Sequence, residues 1–151
     1  MRLTHRAKSP ALWLAPLVAA LCVYYAHSLG SEIDFYPLRE WTRGLSTVFL
    51  AGPVAAACAA WEVARMRVGG TFDIPSARSR VVVLTDLLWP IFLLAVLEVL
   101  IAGVSRAGLT PPPASVLLVA ATAIAAQIAF GTALGAYFRP ATATAVALLT
   151  S

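Results

Sequence analysis

The chain has 151 residues and a formal net charge of +4; 60% of its residues are hydrophobic and only 12% are charged. A soluble domain carries about 25% charged residues and turns much of its surface to water. The composition therefore excludes an ordinary soluble enzyme, a disordered tail and a disulfide scaffold, and it predicts an all-α polytopic protein whose main solvent is lipid.

A helix needs about 20 apolar residues to cross a hydrocarbon layer about 30 Å thick. Runs of that length fall at 11–29, 45–64, 81–104 and 114–138, and together they form a single transmembrane domain. A fifth apolar run, 141–151, is too short to cross as a helix. It reads as the first part of a fifth helix in a longer chain, with an interfacial or re-entrant segment as the alternative. Arg2, Arg6 and Lys8 precede the first span, Arg65, Arg67, Arg78 and Arg80 lie between the second and third, and Arg139 follows the fourth. All of these fall on one side. Arg39, Arg43 and Arg106 fall on the other, diluted by Glu32, Asp34 and Glu40. The positive-inside rule then predicts a multi-pass plasma-membrane protein with its N-terminus in the cytoplasm. The same placement makes the basic charge topogenic and gives it no nucleic-acid role.

Along the chain, the first candidate feature is the acidic, aromatic segment 30–44, with Phe35, Tyr36 and Trp41. It predicts a short interfacial helix whose rings sit among lipid headgroups. Pro53 and Pro90 fall near the middle of the second and third spans. Proline removes a helix hydrogen bond, so the two are candidate hinges. Glu62 stands three residues before Arg65, the spacing of a local ion pair. The basic loop 65–80 breaks the second helix at Gly69-Gly70. It then presents Phe72, Asp73 and Ile74 beside Arg78 and Arg80, while Pro75 and Ser76 suit an early start of the third helix. Apolar side chains rimmed by arginine have the composition of a partner-docking surface; the plainer alternative is a loop bound to anionic lipid heads.

Ionisable groups inside a span are functional candidates. Asp86 lies close enough to one membrane face to meet Arg139 or Tyr137. Glu98 is deeper, has no local partner, and could share a hydrogen bond with Gln127 of the fourth span. Gly52, Ala56 and Ala60 form one ridge of small residues, and Gln127, Gly131 and Gly135 form another. Such ridges let membrane helices approach closely. Cys22 and Cys58 form no CxxC pair and read as small packing residues.

No phosphate-binding GxxxxGK[ST], HExxH or GxSxG is present. The two histidines, His5 and His27, are predicted on opposite sides of the membrane. The expectation is therefore a non-enzymatic protein with no catalytic residue, metal or cofactor of its own.

The stretch Gly52-Pro53-Val54-Ala55-Ala56-Ala57-Cys58-Ala59-Ala60-Trp61-Glu62-Val63-Ala64-Arg65 resembles the second span of actinobacterial membrane proteins related to ABC exporter permeases. So do Ser76-Ala77-Arg78-Ser79-Arg80 leading to Trp89-Pro90, and the glycine-rich run Gly131 to Pro140. The likeness covers about residues 44 to 148. It implies six helices, homo- or hetero-oligomeric assembly, and a loop after the second helix that couples to a separate ATP-binding subunit. Phe72, Asp73, Ile74, Arg78 and Arg80 would then dock the ATPase. Pro53 and Pro90 would be hinges, and Glu98 with Gln127 a polar spot on the export path. Two alternatives stand beside this expectation: a passive anchoring subunit of a partner complex, and a small ion-coupled carrier using Glu98.

Overall fold

The computed structural model describes residues 9–28, 37–69, 80–108 and 110–150. Among them the chain is all-α, with no strand. Six helices follow one another: α1 (Pro10–Ser28), α2 (Pro37–Leu45), α3 (Val48–Val68), α4 (Arg80–Ala107), α5 (Ala114–Tyr137) and α6 (Pro140–Thr150). Four stretches are long and apolar enough to cross a membrane, namely α1, the almost continuous α2–α3 unit, α4 and α5. The predicted spans are therefore present. The second helix runs one turn further than predicted, to Val68, and ends at Gly69, whose N–H donates to the Arg65 carbonyl. Pro111-Pro112-Pro113 separates α4 from α5, as the sequence requires. At the end of α4, Gly108 adopts φ 66°, the left-handed conformation that glycine enters at little cost.

α3 is the core of the bundle. In its apolar stretch 61% of the residues are buried, against 22% in α1, 33% in α4 and 22% in α5. The reason is side-chain size. Lipid tails are as apolar as leucine, so helices in a membrane gain by close contact more than by escaping their solvent. Ala51, Ala55, Ala56, Ala57, Ala59 and Ala60 give α3 a thin profile that neighbours on several sides can approach. α1 and α4 pack on one flank, where Val18, Cys22, Ala95 and Val99 join Ala55 and Cys58. On another flank Ala143 and Ala147 of α6 meet Ala56, Ala57 and Ala60. The run expected to be partial is thus an eleven-residue helix with one face buried.

α5 packs on α3 through the two small-residue ridges, which meet in register. Gly52 faces the Gln127 amide, Gly131 faces the backbone carbonyl of Ala56, and Gly135 faces that of Ala60. The steps of four coincide, so α3 and α5 run parallel. An up-and-down chain must place its second and fourth spans in this way. A Cβ on Gly52 would overlap the Gln127 amide. Gly52→Ala is therefore expected to lower stability by about 1–3 kcal/mol, the usual range for overpacking. Gln127→Ala in the same chain is expected to restore most of it, because the obstruction is a side chain. A denaturant titration of both variants checks this; equal loss in the double variant would refute the contact.

Pro53 and Pro90 lie inside uninterrupted helices, as does Pro16 of α1.

Candidate functional site

Two polar assemblies occupy opposite ends of the bundle. At the α2 end, Glu40 is buried at 1% exposure and Arg106 at 4%. The Arg106 Nε donates to Glu40 Oε2 at 2.7 Å, and Arg43 donates to Glu40 Oε1 at 2.8 Å. Trp41 is 1% exposed; its ring covers Gly103 of α4 and its Nε1–H donates to the Thr110 carbonyl at 3.2 Å. Gly44 meets the backbone of Gly103. The predicted short helix exists, but its Trp41 is buried against α4 and not exposed at the surface. The side of α2 that carries Glu40, Trp41 and Gly44 turns inward because it alone has both the charge that answers Arg106 and the room for close backbone approach. Leu38 is left exposed. Phe35 and Tyr36 lie outside the described residues. Every part of this assembly is satisfied, so it is a clamp and not a binding site.

The other end holds a cavity of about 550 Å³ between three helices. α1 contributes Ser9, Ala11 and Leu12, α3 contributes Glu62, Arg65 and Met66, and α4 contributes Asp86, Leu87, Pro90, Ile91 and Leu94. Arg65 donates to Glu62 Oε2 at 2.7 Å, the pair expected from their spacing. Glu62 is only 1% exposed, and its second oxygen, Oε1, has no hydrogen-bond partner among the described residues. A buried carboxylate oxygen without a donor is costly. Asp86 opens onto the same cavity. Neither Arg139 nor Tyr137, the neighbours expected for Asp86, lines that cavity. The α5 terminus is held by another group. Arg67 donates to the carbonyls of Ala136 at 3.0 Å, Tyr137 at 3.3 Å and Phe138 at 2.7 Å, capping the negative end of that helix.

Glu98 is buried at 7% exposure between α1, α3 and α4, beside a void of about 20 Å³ shared with Val18, Val54 and Cys58. That is roughly the room that one water needs. It is not paired with Gln127, whose Oε1 is buried without a hydrogen-bond partner among the described residues. The two groups meet different faces of α3: Gln127 lies on Gly52, whereas the Glu98 void is lined by Ala51, Ala55 and Cys58. The proposed polar pair is therefore two separate sites.

Phe72, Asp73, Ile74 and Arg78 lie outside the described residues, and Arg80 is described only as backbone in the first turn of α4. Gly131 and Gly135, read from the sequence only as a packing ridge, lie on the α3–α5 contact. The three-helix cavity is the feature that sequence reasoning missed. Its signal was present: Glu62 lies six residues before the end of α3 and Asp86 six residues after the start of α4, so antiparallel neighbours hold them at one depth. Among the described residues no cluster of three or more His, Cys, Asp or Glu side chains could hold a metal ion.

No family model matches the chain, and no curated protein or solved structure shows significant similarity to it. Among its described residues the chain is all-α, with four helices long and apolar enough to span a membrane.

Proposed function

We propose that this chain is the transmembrane subunit of an ABC-type exporter, set in the plasma membrane with its N-terminus in the cytoplasm and driven by a separate ATP-binding subunit. One observation supports the reading best. The connection 70–79 joins the two helices, α3 and α4, that form two of the three walls of the cavity. Displacing that connection moves the last turn of α3 against the first turns of α4 and changes the space between Glu62 and Asp86. An ATPase bound to the connection can in this way bias two packings of the bundle without touching the cargo. Residues Phe72, Asp73, Ile74, Arg78 and Arg80 form the docking surface in this reading, and Pro90, on the cavity wall, is the hinge nearest to it. The basic residues of this end give the orientation. At the α2 end, Glu40 already neutralises part of the charge of Arg43 and Arg106.

The test is co-purification in mild detergent. The native protein should bring down a soluble ATPase in stoichiometric amount. The double variant Phe72→Asp/Arg78→Glu should insert normally and lose that partner. Retention of the ATPase by the double variant removes the docking assignment. If only further copies of the chain or other membrane proteins co-purify, the reading passes to a passive anchoring subunit.

A further inference from the structure

The cavity between α1, α3 and α4 combines an apolar wall with one unsatisfied acceptor, and that combination is selective. Leu12, Leu87, Ile91 and Leu94 offer hydrocarbon surface. Glu62 offers a carboxylate that is almost completely buried, one oxygen held by Arg65 and the other without a donor among the described residues. Asp86 adds a second carboxylate on the opposite wall. Leu12 and Asp86 are both exposed and mark the mouth. A volume of about 550 Å³ is within the range of pockets that hold drug-sized molecules, roughly 300–1,000 Å³.

We propose that this cavity binds an amphiphilic ammonium ion, a protonated amine with at least one N–H and an apolar body, whose N–H donates to Glu62. The proposal rests on the transport reading and names its cargo class. The chemistry decides among ligand classes. An anionic head brings only acceptors and would leave Glu62 Oε1 without a donor. A quaternary ammonium brings charge but no donor, so Oε1 would stay unsatisfied. A protonated amine supplies both, and its apolar body covers the leucine and isoleucine wall. A free amine and the ethanolamine head of an aminophospholipid share this chemistry.

Binding is read on this chain alone, in phosphatidylcholine nanodiscs, by equilibrium dialysis. No ATPase is present, so the result is independent of co-purification: a chain that binds its probe but recruits no ATPase loses the exporter reading and keeps the site. Three probes of like shape are compared: 4-phenylbutylamine, its N,N,N-trimethyl analogue and 5-phenylpentanoate. Saturable binding of the amine is expected, with the trimethyl analogue weaker by roughly tenfold or more, as loss of a hydrogen bond to a charged group implies. Glu62→Gln should weaken the amine by a similar factor. Leu12→Trp, which fills the mouth and leaves both carboxylates in place, should weaken it as well, and it serves if Glu62→Gln does not fold. Competition by phosphatidylethanolamine assigns the ammonium group to a lipid head, and its absence assigns it to a free amine; either supports the site. Equal affinity for amine and trimethyl probe, preference for the carboxylate probe, unchanged binding in Leu12→Trp, or no saturable binding would each overturn the proposal.

Discussion

Gly131→Leu is expected to leave almost no folded protein, and Gly131→Ala alone to lower stability by about 3 kcal/mol, the upper end of the overpacking range. The argument is geometric. A Cβ at position 131 would fall on the Ala56 carbonyl oxygen and crowd the Ala56 Cα. Gly52 differs, because the atoms in its way belong to a glutamine side chain that can turn. At Gly131 the obstruction is the backbone of the most buried helix, which is itself held by α1, α4 and α6. Relief would require α3 and α5 to separate, and the van der Waals contact of the whole ridge would then be lost. Ala133→Leu, on an exposed position of the same helix, is the control and should change stability little. Thermal unfolding in detergent, followed by size-exclusion profile, distinguishes the three. A Gly131→Ala variant that melts with the parent would show that α3 and α5 are not in the close contact described.

Glu40→Ala is expected to cost about 3–5 kcal/mol, the usual loss when one partner of a buried ion pair is removed. The Arg106 side chain is 1% exposed and the Glu40 side chain 2%, so the guanidinium left behind would have neither its carboxylate nor water. Arg106→Met should cost a similar amount by stranding the carboxylate. The double variant Glu40→Leu/Arg106→Met should lose much less than the sum, because nothing charged stays buried. Arg43 is the internal comparison. It binds the same carboxylate, but its side chain is 32% exposed, and Arg43→Ala should cost under about 1 kcal/mol. A double-mutant cycle measured by denaturant titration isolates the Glu40–Arg106 coupling. If Glu40→Ala costs no more than Arg43→Ala, the clamp does not hold α2 to α4. Such a loss would reach further than α2, because Trp41 covers Gly103 and fixes the end of α4 that leads into the proline turn.

Some features were legible because they depend on neighbours in sequence. The four spans follow from the length of apolar runs. The Glu62–Arg65 pair follows from helical spacing. The turn between α4 and α5 follows from three prolines. Trp41 shows the limit: its composition suggests a headgroup residue, and only the approach of α4 turns it into a buried wedge. Asp86 shows the same. Its depth could be read from the chain, but which helices share its cavity could not, and no residue of α4 states that.

The sequence by itself determined that this is a helical protein with lipid as its main solvent, roughly where its long helices lie, and which faces carry small residues. These properties are local, because each is a sum over residues a few positions apart in one helix. Only the tertiary structure decided that α3 is the core, that its ridge meets that of α5 in register, that Glu98 and Gln127 are separated by a helix face, and that Glu62 and Asp86 share one cavity. Those are choices among pairings of similar apolar surfaces. In lipid they differ by the fit of side chains across helices, which no single helix carries in its own sequence.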